Sequence, residues 1–200
     1  MSTSFYLVRH GQKTSQFEAE AVLTPLGHEQ ARQTGVYFSG LGIGQIMSSP
    51  ARRAQETAHD IGQVLGLTYT VTEQLTERLL WTDKNMSAAE FLQEWNRSCD
   101  DPNYQPLFGD SARASGERGQ KFLTQVLAQA DGQKVIFVAH SGIISDIIRA
   151  FFGRDDPRLQ THEYCFRGSA NCGISQIDFT DDGPHLIQLN FTDHLREVTY

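Results

Sequence analysis

The stretch Phe5-Tyr6-Leu7-Val8-Arg9-His10-Gly11-Gln12 decides how this chain folds. Four apolar residues in a row read as a strand covered on both faces, because a half-exposed strand would alternate apolar with polar positions. Gly11 then permits the sharp turn that takes the chain out of the strand. Arg9 and His10 therefore stand at the strand's carboxyl end, which in an open α/β sheet is where ligands bind.

Two later stretches repeat the pattern. Gln45-Ile46-Met47-Ser48-Ser49-Pro50 runs into Ala51-Arg52-Arg53, and Lys134-Val135-Ile136-Phe137-Val138-Ala139 runs into His140-Ser141-Gly142. Three strand ends far apart in sequence would converge on one edge of a sheet, bringing two histidines and at least two arginines together. Gathering those groups is costly without an anion between them.

Around these ends the chain alternates strand-like segments at 4–8, 45–48, 68–72, 134–139, 173–179 and 185–190 with helix-like segments at 25–39, 50–65, 87–97, 116–130 and 142–152. That rhythm predicts an α/β sandwich with a largely parallel sheet. Thr24-Pro25 and Ser49-Pro50 each offer a capping hydroxyl ahead of a proline at the first helical position. The segment 81–113 interrupts the rhythm with polar sequence and reads as an insertion, or cap, covering one end of the sheet. The 200 residues, 39% of them hydrophobic, suit a single domain spanning the whole chain.

The bulk charge narrows the function. A formal net charge of -7 argues against a nucleic-acid surface, which needs clustered Lys and Arg. Cys99, Cys165 and Cys172 are odd in number and share no C-x-x-C spacing, so a reducing compartment is the simplest expectation. The amino terminus has no basic leader pattern and no apolar run reaches membrane length, so a cytoplasmic protein with no membrane partner is expected.

An anion pocket at the converging strand ends has recognisable parts. Arginine presents a planar fork that fits phosphate oxygens, and the free N–H groups of a helix start favour the same charge. Arg52, in the first turn of a helix opened by Ser49-Pro50, is the expected pocket arginine. Arg53 is expected to be exposed or to lay its stem along the surface. A neutral histidine can attack phosphorus and split one hard displacement into two easier ones, and neighbouring arginines favour the neutral ring. A carboxyl group must protonate the leaving oxygen, with Glu77, Glu73, Asp83 and Asp110 as the candidates.

Taken in order, LVRHGQ (7–12), LTPLGHEQA (23–31), SSPARRAQETA (48–58), LTERLL (75–80), VAHSG (138–142) and LNFTDHL (189–195) resemble the histidine phosphatase superfamily, which includes the cofactor-dependent phosphoglycerate mutases and many small phosphatases. The resemblance implies a three-layer α/β/α sandwich whose mostly parallel sheet carries one antiparallel strand. It implies that His10 is the phosphorylated nucleophile, that Arg9 and Arg52 bind the phosphoryl group, that His140 completes the pocket, and that Glu77 is the proton donor. For the phosphatase branch it implies neither a metal nor an organic cofactor.

The chain departs from the family pattern at three places. Where members often continue R-H-G with E-T-x-x-N, this sequence has Gln12-Lys13-Thr14-Ser15-Gln16, so the polar contact six residues after His10 falls to Gln16. Ser141, beside His140, is the other expected substrate contact. The glycine and tryptophan pattern after the acid is missing, and Asp110 stands where a glutamate is usual.

The expected activity is that of a metal-independent phosphatase acting on a small phosphorylated molecule or a phosphoprotein side chain through a phosphohistidine. Two rivals use the same pocket: a mutase that returns the phosphoryl group to another oxygen, and a non-catalytic phospho-ligand binding protein. His28, His59, His162, His185 and His194 show no zinc spacing and read as structural or surface residues. Phe91 and Trp95, at i and i+4, read as packing residues with a weaker reading as an apolar wall for the leaving group.

Overall fold

A computed structural model describes residues 2–15, 20–81, 86–160 and 169–195. Six strands form one sheet in the order β3-β2-β4-β1-β5-β6. They are β1 (Thr3–Arg9), β2 (Gln45–Ser48), β3 (Tyr69–Val71), β4 (Lys134–Ala139), β5 (Ile174–Thr180) and β6 (Gly183–Phe191). β1, β2, β3 and β4 pair in parallel, whereas β5 pairs antiparallel with both β1 and β6. β5 is thus the one strand that runs against the rest, as expected.

The apolar run that opens the chain explains the layers. Side chains alternate across a strand, so Phe5 and Leu7 enter one core while Tyr6 and Val8 enter the other. The first core is closed by α4 (Ala112–Leu127) and α5 (Ser141–Phe152), through Leu123, Ile143 and Ile147. The second is closed by α1 (Pro25–Phe38) and α2 (Arg52–Leu65), through Phe38, Ala54, Ala58 and Ile61. Helices on both faces make a three-layer α/β/α sandwich. α3 (Ala88–Asp100) lies in the 81–113 segment, opened by Ser87 and Glu90 in a reciprocal capping box. A short α6 (Pro157–Gln160) follows α5. Among the described residues no helix is long and apolar enough to cross a membrane.

Two helix starts differ from the sequence expectation by more than one residue. α1 begins as read, with Thr24 Oγ1 accepting from Gly27 N at 3.0 Å and Pro25 at the first position. α2 begins at Arg52 rather than at Pro50 and its N-cap is Ala51, whose N–H donates to Ser49 Oγ at 3.3 Å ahead of the first helical turn. α4 begins four residues before the expected Gly116, capped by Ser111. Gly116 is internal because α4 presses there against α5: a Cβ on it would lie 2.6 Å from Asp146 O.

The connections place the site. From β1 the chain crosses to α1 and then β2, on one side of β4, whereas from β4 it passes through α5 to β5, on the far side of β1. The chain therefore leaves the adjacent carboxyl ends of β1 and β4 in opposite directions, which opens a crevice at that point of the sheet.

Candidate active site

Register brings the two histidines together. Arg9 pairs with Ala139 across β1 and β4, so the next residues, His10 and His140, face each other as the strands end. Their ring centroids are 5.2 Å apart and the rings meet edge to face. Both are buried, at 3% and 1% exposure. β2 lies on the other side of β4, and Ser48 pairs with Val138, which brings Ser49 level with the same edge.

The ring of His10 is fixed at both nitrogens. Nδ1 lies 2.8 Å from Gly11 O, and Arg53 Nε donates to Nε2 at 3.3 Å. Because a guanidinium can only donate, Nε2 must accept, so Nδ1 carries the proton that is given to the carbonyl. Burial first, then the charges of Arg9, His140 and Arg53, hold the His10 pKa well below the usual histidine range. The result is a neutral imidazole whose lone pair points among cations.

His140 is held differently. Ser49 Oγ lies 2.7 Å from its Nε2, while Nδ1 is buried without a hydrogen-bond partner among the described residues. Burial, Arg53, Lys13 and Arg9 lower its pKa in the same way. A buried ring nitrogen left open beside His10 is suited to an oxygen of a bound anion. The hydroxyl read as a helix cap is therefore a pocket residue.

The structure corrects the expected arginine. Arg52 points outward, its side chain 64% exposed, and pairs with Glu56 at 3.0 Å. Arg53 is the one against His10, only 4% exposed. The reason is the later start of α2: its buried face carries Arg53, Ala54, Thr57, Ala58 and Ile61, and each step of one residue turns the side chain by about 100°. That spacing was present in the sequence, since Arg53 stands four residues before Thr57 and eight before Ile61, whereas Arg52 lines up with polar Glu56 and His59.

Arg9 is half-buried and donates through Nη1 to Ser169 O. The same loop fixes the strand end, with Cys172 N donating to Arg9 O at 3.1 Å and Asn171 Nδ2 to His10 O at 3.1 Å. Cys172 itself is buried, with its thiol pushed up to about 12 by burial.

Glu77 closes the pocket from the side of the inserted segment. Its Oε2 accepts from Gly142 N at 2.9 Å, and its Oε1 accepts from Ile143 N and from its own neighbour Arg78 N, each at 2.9 Å. It is thus seated on the N–H groups that open α5, where a helix favours a carboxylate. Gly142 is required there, because a Cβ would stand 2.4 Å from Glu77 Oε1. The same hypothetical Cβ would stand 3.0 Å from Trp95 Cη2, so the α3 aromatic group borders the acid. Trp81, Phe91 and Trp95 stack in series, with Phe108 also against Phe91.

The other candidates fall elsewhere. Asp110 is tied to Arg118 at 3.0 Å on the outer cleft, and Glu73 accepts from Thr76 Oγ1 on the exposed side. Ser141 is the first residue of α5 and half-buried beside His140. Gln16, Asp83, His162 and Cys165 lie outside the described residues. His28 pairs with Asp60, and His194 meets Thr34 Oγ1 and stacks on Phe191, both away from the cluster, as expected of structural histidines.

Comparison with known proteins gives the family and the fold. The family model described as "Histidine phosphatase superfamily (branch 1)" matches residues 5–192. The "Uncharacterized phosphatase PhoE" of Bacillus subtilis is 28% identical over 199 residues, covering 96% of this chain and 97% of its own. The "Probable phosphoglycerate mutase GpmB" of Salmonella paratyphi A is 28% identical, covering 88% and 85%. Among solved structures, a mycobacterial glucosyl-3-phosphoglycerate phosphatase complexed with VO3 superposes with a TM-score of 0.80 at 21% identity, covering 94% of this chain and 99% of that one.

Proposed function

The chain belongs to the histidine phosphatase superfamily, and on that premise we propose that it hydrolyses a phosphomonoester, or a phosphorylated protein side chain, through a phosphohistidine on His10, without a metal ion. The observation that carries this reading is the fixed tautomer of His10: Nδ1–H is spent on Gly11 O, and Nε2 is an acceptor set beside Arg53 and His140.

In the first step the phosphoryl group lies among Arg9, Arg53 and His140, and the Nε2 lone pair of His10 attacks phosphorus. The bond from phosphorus to the ester oxygen breaks, and Glu77 gives its proton to that oxygen so that a neutral alcohol leaves. In the second step Glu77 takes a proton from water, the hydroxide attacks phosphorus, and the P–N bond breaks to return His10 and release phosphate. The arginines and the open His140 nitrogen hold the equatorial oxygens, and in this class of transfer placement and electrostatics supply most of the rate. The segment 81–113 acts as a cap within one histidine phosphatase domain, with Trp95 on the leaving-group side of Glu77.

Hydrolysis of a generic aryl phosphate, with chelator present, tests the reading in wild type and His10→Ala. Turnover is expected in wild type and lost in the variant, and near-wild-type activity in the variant would sink the mechanism.

A second reading rests on the relative named as a phosphoglycerate mutase. A mutase would form the same phosphohistidine but return the group to a second hydroxyl of the bound molecule. Phosphate release from 3-phosphoglycerate supports the hydrolase, and movement of the group between its oxygens without release supports the mutase.

A further inference from the structure

The mechanism above uses the open nitrogen of His140 but not the hydroxyl on the other side of the ring. Ser49 follows the last residue of β2 and is 0% exposed, and His140 is 1% exposed. The backbone of Ser49 is held from both sides, its N–H donating to Val138 O at 2.9 Å and its carbonyl accepting from Ser48 Oγ at 2.9 Å. From that position its Oγ lies 2.7 Å from His140 Nε2.

Where the protons go at this contact decides the form of the ring. A hydroxyl has one hydrogen to give and two lone pairs to offer. Ser49 Oγ accepts from Ala51 N at 3.3 Å, and among the described residues His140 Nε2 is the one acceptor that its own hydrogen meets. If Nε2 carried the ring proton, the hydroxyl hydrogen and the Nδ1 lone pair would both be left unsatisfied in the interior, which is costly. With Nε2 accepting, the hydroxyl is satisfied and the ring proton sits on Nδ1. Burial and the charges of Arg53, Lys13 and Arg9 disfavour a second proton on the ring. Nδ1 is itself buried without a hydrogen-bond partner among the described residues, in a ring that meets His10 edge to face. An N–H there donates to an anion oxygen, whereas a lone pair there would repel it.

We propose that Ser49 is a positioning residue: its hydroxyl donates to His140 Nε2 and so fixes the Nδ1–H tautomer, which makes His140 a donor to an oxygen of the transferring phosphoryl group. The two histidines then share one tautomer and use opposite ends of it. His10 gives its Nδ1–H to Gly11 O and keeps Nε2 as the lone pair for phosphorus, whereas His140 gives Nε2 to Ser49 and keeps Nδ1–H for oxygen. The identity of that oxygen rests on the phosphatase reading, but the tautomer does not, so the two can fail separately.

Nitrogen NMR of isotope-labelled histidine side chains reads the tautomer directly, with His140→Gln identifying the His140 signals. Wild type without ligand should show Nδ1 protonated and Nε2 bare, and saturating inorganic phosphate should move the Nδ1–H signal. In Ser49→Ala, with thermal melting to establish that it is folded, the ring should pass to the Nε2–H form or to a mixture. On an aryl phosphate, kcat of Ser49→Ala should fall roughly tenfold to a hundredfold, less than the loss of a donor outright. KM should change by no more than about threefold, because the contact tightens as charge grows on the oxygen. A wild-type ring protonated on Nε2, an Nδ1–H signal that phosphate leaves unmoved, or a folded Ser49→Ala with the tautomer unchanged would overturn the proposal. A wild type that shows the tautomer, its dependence on Ser49 and the response to phosphate, yet hydrolyses no phosphomonoester, would instead overturn the phosphatase reading and leave the Ser49 assignment standing.

Discussion

At the scale of single residues, the central fact is a histidine kept neutral by burial and by the cations around it. His10 and His140 both have pKa values well below the ordinary range, so His10 keeps its lone pair at pH values where a free imidazole would be charged. The acid limb of kcat/KM should therefore lie below about pH 6.5; a limb at or above that value would contradict the geometry. The arginines give a sharper contrast. Replacing Arg53 by Ala should cost roughly a hundredfold to a thousandfold in kcat/KM, the loss typical of removing one donor to a developing charge. Replacing Arg52 should leave it within about twofold, because an exposed i,i+4 pair with Glu56 contributes little. Steady-state kinetics of the two variants separates them directly. His10, Arg9, His140 and Glu77 were legible in the sequence as residue types at strand ends and in a motif. The choice between adjacent arginines was not, because it turns on the phase of one helix: a start at Pro50 favours Arg52, whereas the periodicity of Ala54, Thr57, Ala58 and Ile61 turns Arg53 inward.

At the scale of elements, Arg78 is where the inserted segment is fastened to the sandwich. Its Nη1 donates to Asp146 of α5 at 2.7 Å, its Nη2 to Cys99 Sγ of α3 at 2.8 Å, and its guanidinium lies 4.5 Å from the centre of the Trp95 ring. The preceding residue is Glu77, so the same fastening holds the acid against the start of α5. Arg78→Met should lose about 3–5 kcal/mol of stability in denaturant unfolding, the usual cost of leaving one partner of a buried ion pair. Adding Asp146→Asn should recover part of it, since the stranded charge is removed. A full recovery of neither stability nor activity in Arg78→Lys would fit this role, because lysine lacks the planar fork that reaches both partners. The element pattern itself was mostly legible, as strand and helix periods are local properties. Ser49 and the start of α4 were not: a serine before a proline looks the same whether it caps a helix or meets a histidine 91 residues away, and Gly116 looks like a helix start until α5 is packed against it.

At the scale of the whole molecule, the sandwich holds two buried imidazoles, His10 and His140, and a half-buried one, His194, that the unfolded chain would protonate. His10, His140 and His194 are all depressed by burial, His194 to about 4. A group with a depressed folded pKa contributes its stability above the unfolded value of about 6.5, and loses it as pH falls toward the folded value. The phosphate-free protein should thus show a falling Tm between about pH 6.5 and pH 4, and His194→Asn should make that slope shallower without touching the pocket. An unchanged slope in His194→Asn would show that the fold does not hold His194 neutral. The layered fold was legible because the FYLV run has the unbroken apolar character of a strand covered on both faces, and strand ends that carry histidines and arginines point to one crevice. What lay beyond the sequence was how the groups meet inside the crevice, since the bond from Arg53 to His10 and the seat of Glu77 on the first N–H groups of α5 depend on how the helices pack. The central claim is a covalent bond between phosphorus and His10 Nε2, and the most direct measurement is peptide mapping by mass spectrometry of protein quenched in alkali during turnover of an aryl phosphate. The account predicts an acid-labile, alkali-stable phosphoryl group on the peptide containing His10, absent in His10→Ala; turnover with no such group, or with phosphate on another residue, would contradict it.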